Sequence, residues 1–386
     1  MIPRILESVL KSVATRHPVV TLTGPRQSGK TTLCRSAFPD KPYVSLEPPD
    51  EREFAQTDPR GFLQRFAHGA VIDEVQRVPD LLSYIQGVVD AHADPGRFIL
   101  TGSQNFGLTE AVSQTLAGRS ALLELLPLSL EEIRLFPGTW NDLPTLLWSG
   151  GYPRIYDRSI PPAEWLASYT AAYVERDVRQ VLQVGDLLAF QTFLRLCAGR
   201  AGQLLNLSAV GSEAGISQPT ARAWLSVLES SYIAFRLPPM HRNANKQLIK
   251  TAKLYFYDTG LLCYLLGIRS SEQLATHPLR GPVFESWVAS EIVKLHLHRG
   301  QRPNLCFYRD RQGHEVDFVL DRGTELLAIE AKAGATPSVS YFAALSTFAQ
   351  QFTEIPIRQI VVYAGSETQQ RTAGELLSWS DLGSLL

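Results

Sequence analysis

Short apolar runs closed by small, acidic or proline residues recur through the first third of the chain. They are Val19-Val20-Thr21-Leu22-Thr23, Tyr43-Val44-Ser45-Leu46, Ala70-Val71-Ile72-Asp73 and Arg97-Phe98-Ile99-Leu100-Thr101. Continuous apolar character without alternation predicts strands buried on both faces of a parallel sheet. Between them, Ile5 to Lys11 and the segment from Thr32 to Arg35 have helical spacing with no Gly or Pro. Strands alternating with helices predict a right-handed αβα sandwich with its ligands at the carboxyl ends of the strands.

The first strand runs into Gly24-Pro25-Arg26-Gln27-Ser28-Gly29-Lys30-Thr31, followed by Thr32. Strand, glycine-bounded loop and helix is the setting that makes G-x-x-x-x-G-K-[ST] a P-loop. Gly24 and Gly29 let the backbone curl so that successive N–H groups face phosphate oxygens at a helix N-terminus. Lys30 reaches the β- and γ-phosphates and the Thr31 hydroxyl ligates Mg²⁺. Downstream, Ala70-Val71-Ile72 ends in Asp73-Glu74. Asp73 is expected to hold Mg²⁺ through its water shell, with Glu74 deprotonating the attacking water. The expected ligand is Mg-ATP.

Composition narrows the setting. The chain has 386 residues, enough for two or three domains. Hydrophobic residues make up 45% and charged residues 19%, with a formal net charge of −1, so no global basicity points to nucleic acid. Cys34, Cys197, Cys263 and Cys306 are far apart, which suggests reduced thiols and a cytoplasmic protein. No run of about 18 apolar residues occurs, so no membrane span is expected.

Several phrases resemble a prokaryotic AAA+ family. They are Leu-Thr-Gly-Pro-Arg-Gln-Ser-Gly-Lys-Thr-Thr (22–32), Val-Ile-Asp-Glu-Val-Gln (71–76), Leu-Thr-Gly-Ser (100–103), Leu-Ala-Gly-Arg (116–119) and Leu-Leu-Pro-Leu-Ser (125–129). In that family the ATPase is fused to a winged helix and a C-terminal domain of unknown function. The resemblance implies three domains: an AAA+-like ATPase over residues 1–140, a helical lid with a winged helix-turn-helix over 141–272, and a C-terminal domain over 273–386. It implies a polar γ-phosphate contact after the fourth strand, for which Thr101, Ser103 and Gln104 are candidates with Ser103 preferred. Arg119 becomes a candidate arginine finger or sensor, with a surface arginine as the alternative reading. Gly150-Gly151-Tyr152-Pro153 resembles a nucleotide-contacting lid element, or is simply a helix-breaking loop. Arg176, on the helix after it, is a further candidate for a nucleotide or inter-subunit contact, with an Arg-Asp pair on a solvated helix as the commoner reading.

From Leu207 to Glu229 the chain reads as helix-turn-helix. Ser208 and Ser217 are the expected caps and Gly215 the turn, with Ile216, Ala221, Leu225 and Leu228 between the helices. A DNA reader would present Ser217, Gln218, Thr220, Arg222 and Ala223, with Lys246, Lys250 and Lys253 near phosphates, though a solvated face explains these lysines equally well. A structural lid is the alternative.

In the C-terminal region, Phe284, Val288 and Ile292 form one stripe of an expected amphipathic helix, with Glu285 beside it. Glu315 to Leu320 and Leu326 to Lys332 read as a hairpin at a sheet edge, Val361-Val362-Tyr363 as a closing strand, and the tail as a helix. Asp317 in one strand and Glu330-Ala331-Lys332 in the next resemble the restriction-endonuclease-like Asp…Glu-x-Lys fold. That resemblance implies an α/β domain in which Glu285, Asp317 and Glu330 hold Mg²⁺ and Lys332 activates water. Arg309 and His314 are further candidates for phosphate contact. Two functions remain open: an ATP-controlled DNA-processing nuclease, or a non-cleaving nucleotide switch that binds DNA or a protein. Further copies of this chain are a third candidate partner.

Overall fold

The computed structural model describes residues 3–103, 112, 114–137, 142–172, 186–240 and 251–385. Gln104, Arg176, Lys246 and Lys250 lie outside the described residues. Contacts divide the chain into two compact units. The first comprises Met1–Leu128, Ser230–Tyr232 and His296–Gln301; the second comprises Ser129–Glu229, Ile233–Leu295 and Arg302–Leu386.

The first unit is built on β1 (Val19–Thr23), β2 (Tyr43–Ser45), β3 (Ala70–Asp73), β4 (Phe98–Thr101) and β5 (Ser120–Glu124). They form one sheet in the order β2-β3-β4-β1-β5, with every pairing parallel. β1, β3 and β4 are buried along their whole length, which is why their sequences run apolar without alternation. Neighbouring residues serve opposite faces. Ile72 and Leu100 pack with Phe62, Leu81 and Ile85, whereas Val71 and Ile99 pack with Leu6, Leu10 and Leu33. Thus α1 (Leu6–Ala14) and α2 (Lys30–Ala37) cover one face and the helix Leu81–Ala91 covers the other. The expected order of elements is met. β5 is an addition to it, and so are the short helices Pro49–Thr57 and Pro59–Gln64, each opened by a proline in its first turn.

In the second unit, Leu207–Glu213 and Gln218–Ser230 form the helix-turn-helix, with Gly215 at φ +71° in the turn. The first cap is Asn206 rather than Ser208: Asn206 Oδ1 accepts from the Ala209 N–H at 3.1 Å. Ser217 does cap the second helix through the Thr220 N–H at 3.3 Å. Trp224, which the apolar pattern does not pick out, packs edge-on against Phe190 and Phe193. After the helices, β6 (Ala234–Leu237) and β7 (Lys253–Phe256) pair antiparallel.

The remaining strands are β8 (Leu305–Arg309), β9 (Glu315–Asp321), β10 (Leu326–Lys332), β11 (Ile357–Tyr363), β12 (Gln369–Arg371) and β13 (Gly374–Ser378). Their mixed sheet has the order β12-β13-β11-β10-β9-β8. The expected hairpin is β9–β10, but both strands are interior rather than at an edge. β11 is also interior, because the tail supplies β12 and β13 and then a 3₁₀ turn, not an α-helix. Most of the middle and C-terminal segments fall in the second unit. A bridge between Pro239 and Phe307 joins them, with the Met240 N–H donating to the Phe307 carbonyl at 2.7 Å.

The helix Arg280–Leu297 is not amphipathic in place. Every residue from 286 to 298 is buried. Charged side chains in such a helix need partners inside the protein, because water does not reach them. Lys294 Nζ meets Glu291 Oε1 at 2.9 Å, and Glu291 Oε2 accepts from the Leu130 N–H at 2.8 Å. The Gly-Gly-Tyr-Pro loop finds its partner in Asp258. Gly151 N–H donates to Asp258 Oδ2 at 2.6 Å, and the other oxygen caps the helix Thr259–Leu265 through the Leu261 N–H at 2.8 Å. A Cβ on Gly150, whose φ is +71°, would collide with that carboxylate. Asp258→Ala is expected to cost about 1–3 kcal/mol, since it orphans two buried N–H groups, read as a lower urea midpoint. Asp258→Asn keeps one acceptor oxygen and is expected to cost less.

Candidate functional site

The loop between β1 and α2 has the backbone that its sequence predicts. Gly24 and Gly29 have φ of +145° and +97°, and Gln27 has φ +62°. A Cβ at Gly24 would run into the Leu125 carbonyl oxygen, so no larger residue fits there. The Lys30 side chain is buried and curls over the loop, donating to the Gly24 carbonyl at 2.9 Å and the Pro25 carbonyl at 2.7 Å. Burial pushes its ammonium down to about 8, against the opposing pull of Glu74 and Asp73. Ser28 Oγ is buried without a hydrogen-bond partner among the described residues. Arg26 and Gln27 are open to solvent to different degrees, and Thr32 is exposed on the first turn of α2.

Asp73, at the end of β3, is held by three hydroxyls. Thr31 Oγ1 donates to its Oδ2 at 2.9 Å, Tyr43 OH to the same oxygen at 2.8 Å, and Thr101 Oγ1 to Oδ1. Glu74 follows in the left-handed region, with φ +58° and ψ +40°. Such a conformation costs on the order of 1–3 kcal/mol for a non-glycine residue and is typical of functional sites. Gln76 Nε2 donates to Glu74 Oε2 and, at 3.2 Å, to Ser103 Oγ; Ser103 Oγ also donates to Glu74 Oε2 at 3.3 Å. Ser103 therefore sits beside Glu74, whereas Thr101 serves Asp73. The motifs alone do not reveal Tyr43, Gln76 or the division of labour between Thr101 and Ser103.

Arg4 is a further residue that motif reading misses. Its guanidinium bridges the Ser28 carbonyl at 2.7 Å and the Leu126 carbonyl at 2.8 Å, bracing the loop against the end of β5. Leu126 N–H in turn donates to His298 Nε2 at 3.2 Å, and Thr23, the residue before Gly24, shares a 2.9 Å hydrogen bond with Tyr232 OH.

Arg119 lies away from the phosphate loop. It precedes β5, where Ser120 pairs with Val19, and its carbonyl accepts from the Val19 N–H. It thus lies at the amino end of β1, a strand length of about 16 Å from the phosphate loop. Its guanidinium is paired with Asp90, one contact being 3.0 Å, at the far end of the helix Leu81–Ala91. It cannot contact this chain's own nucleotide. The other first-unit candidates converge on the carboxyl ends of β1, β3 and β4. Glycine-bounded N–H groups, a buried ammonium, an orphaned hydroxyl and a Thr–Asp pair fit the triphosphate and Mg²⁺ of Mg-ATP.

In the second unit, Glu285, Asp317, Glu330 and Lys332 also come together, with three residues outside the Asp…Glu-x-Lys pattern, Lys253, Tyr255 and Glu315. Lys253 Nζ, on β7, lies 3.1 Å from Glu285 Oε1 and 3.6 Å from Asp317 Oδ1 and contacts Glu315. Tyr255 OH donates to Glu285 Oε1 at 2.6 Å, and the Ala331 N–H donates to Asp317 Oδ2 at 3.0 Å. Lys332 Nζ holds Glu330 Oε1 at 2.6 Å, while Glu330 Oε2 is buried without a hydrogen bond among the described residues. Arg309 pairs with Glu315 at 2.9 Å, and His314 with Asp310. Burial, then the charge of Asp317, pushes Glu285 and Glu330 up to about 7. Burial alone would lower the Lys253 pKa, but Glu285, Asp317 and Glu315 together raise it above its usual value. Among the described residues, no group of three or more His, Cys, Asp or Glu side chains is arranged to hold a metal ion. The expected Mg²⁺ on Glu285, Asp317 and Glu330 does not fit, because an ammonium already lies among these carboxylates.

No described helix is long and apolar enough to cross a membrane. Residues 16–134 match the AAA domain family, and residues 141–272 and 280–382 match two families described as domains of unknown function, DUF8612 and DUF4143. Among solved structures, a Walker-type ATPase of Pyrococcus abyssi is similar at a TM-score of 0.47 and 14% identity, covering 67% of this chain and 94% of that one. An uncharacterized protein of Mycobacterium tuberculosis is 32% identical over 341 residues, covering 86% of this chain and 74% of its own length, and one of Mycobacterium bovis matches with the same figures. The chain belongs to the family of these two mycobacterial proteins, with an AAA domain over residues 16–134.

Proposed function

We propose that this protein binds and hydrolyses Mg-ATP at the loop Gly24–Thr31, and that its nucleotide state acts on the helix-turn-helix and the C-terminal region. The observation that carries the reading is the Lys30–Thr31–Asp73–Glu74 arrangement at the carboxyl ends of adjoining strands. The loop N–H groups and Lys30 hold the phosphates. Thr31 Oγ1 and the Asp73 carboxylate, oriented by Tyr43 and Thr101, hold the cation. Mg²⁺, when bound, neutralises charge on the β- and γ-phosphate oxygens. Glu74 takes the proton of the attacking water, and Gln76 and Ser103 fix the orientation of its carboxylate.

Two segments of chain support a switch. Tyr232 lies two residues after the helix Gln218–Ser230, and His298 directly after the helix Arg280–Leu297. Both are docked by hydrogen bonds within the nucleotide-binding unit, at Thr23 and Leu126. The outward residues Gln218, Arg222 and Ala223 are exposed, as a winged helix facing DNA or a protein partner requires. Only one of them is basic, so sequence-independent DNA affinity through this face is weak.

Phosphate release from ATP by the purified full chain tests the reading. Turnover is expected with Mg²⁺, and its absence overturns the hydrolase assignment. Lys30→Ala is expected to weaken ATP binding about ten- to a hundredfold, from the loss of charge-assisted hydrogen bonds. Unchanged binding in a nucleotide-fluorescence titration would remove Lys30 from the site.

A further inference from the structure

We propose that Lys253 is the built-in cation of the Glu285–Glu315–Asp317 cluster, so that the Asp…Glu-x-Lys constellation holds an ammonium where its nuclease-like counterpart would hold a divalent metal. Four carboxylates, those of Glu285, Glu315, Asp317 and Glu330, face three cationic side chains, Lys253, Lys332 and Arg309. The charge is nearly closed without a metal, and a divalent ion added to it would leave an excess of positive charge in a largely buried place.

Three further contacts tie donors of the cluster, and Glu330 Oε2 is left buried without a hydrogen bond among the described residues. Lys332 Nζ holds Glu330 Oε1, and Tyr255 OH holds Glu285 Oε1. Asp317 is tied to the Ala331 amide. The ammonium lies 5.6 Å from the centroid of the Phe307 ring, a second cation-accepting neighbour.

Lys253 is not a side chain that swings in from a loose loop. Its strand is hydrogen-bonded on both sides. β6 pairs with it in a register that sets Leu237 opposite Lys253, and Leu204 forms a bridge to Lys253 from the other side. Gly202, at φ +74°, lets that second segment pass Glu285: a Cβ there would come within 3.2 Å of Glu285 Oε2. The side chain is 3% exposed. Burial of a lysine at this level is tolerated only with paired, hydrogen-bonded partners.

Mn²⁺ titration of the full chain without nucleotide, followed by electron paramagnetic resonance, tests this. Wild type and Asp317→Asn are expected to bind the same number of Mn²⁺ ions with the same affinity. Lys253→Met is expected to gain one ion per chain, which Lys253→Met/Asp317→Asn loses again. Lys253→Gln serves as the second variant if the methionine side chain prevents folding. A wild-type Mn²⁺ site that disappears in Asp317→Asn overturns the proposal. So does a folded Lys253 variant that gains no Asp317-dependent site.

Discussion

Glu74→Gln is expected to retain ATP binding and lose about two to four orders of magnitude in turnover, the range that a positioned general base contributes. The substitution is chosen for what it leaves unchanged. Glutamine keeps the length of the side chain and an oxygen that can accept from Ser103 and Gln76. It adopts the left-handed backbone at residue 74 no less readily than glutamate, so the geometry of β3 and the Thr31–Asp73 pair is preserved. What it removes is the capacity to accept a proton. Turnover measured by phosphate release should therefore fall while a nucleotide titration stays close to wild type. Unchanged turnover would take the base role from Glu74. A parallel loss of binding would instead assign Glu74 to holding the nucleotide.

The contrast between Glu74 and its neighbours shows which features a sequence exposes. Local patterns are legible: the octapeptide of the phosphate loop, the apolar strand ending in Asp-Glu, and Gly215 in the helical turn all act within a few residues of themselves. Partners brought in from a distance are not. Tyr43 and Thr101 hold Asp73 across 30 and 28 positions of sequence, and Arg4 reaches Leu126 across 122. Tyr43 and Arg4 carry no motif, and the Leu-Thr-Gly-Ser phrase that holds Thr101 does not point to Asp73. The place of Arg119 is hidden for a related reason. A Gly-Arg pair looks the same at either end of a strand, and only the register of β5 on β1 sets it at the end away from the phosphate loop. The interior position of β11 is hidden likewise, because it depends on the tail returning as β12 and β13. Lys253 is the clearest case. Its sequence neighbourhood groups it with Lys246 and Lys250 as a phosphate contact, yet pairing with β6 turns it inward onto carboxylates that lie 32 to 64 positions later.

That inward lysine sets the second large expectation. Lys253→Met is expected to destabilise the second unit by about 3–5 kcal/mol near neutral pH, the cost of leaving a buried charge cluster without its partner. Glu285, Glu315 and Asp317 would face one another with only Arg309 and Lys332 at the margin. The cost must depend on pH, with a definite sign. In the wild type, burial and the charge of Asp317 raise Glu285 and Glu330 from the ordinary 4.5 to about 7. Between those values the folded state binds protons that the unfolded chain releases, so the contribution of these groups to stability falls as pH rises through the window. Lys253 opposes that shift at Glu285. Its removal lets the carboxylates take up protons more readily when folded, so the penalty should be largest above pH 7 and shrink toward pH 4.5. Urea midpoints across this range check it, with Lys253→Met/Glu285→Gln as the companion variant. Deleting one of the stranded charges should recover part of the loss at neutral pH and flatten the profile. A lysine that merely fills space would behave otherwise, for methionine replaces its aliphatic stem closely. In that case Lys253→Met would unfold at the wild-type midpoint at every pH, and the cluster would owe nothing to the ammonium.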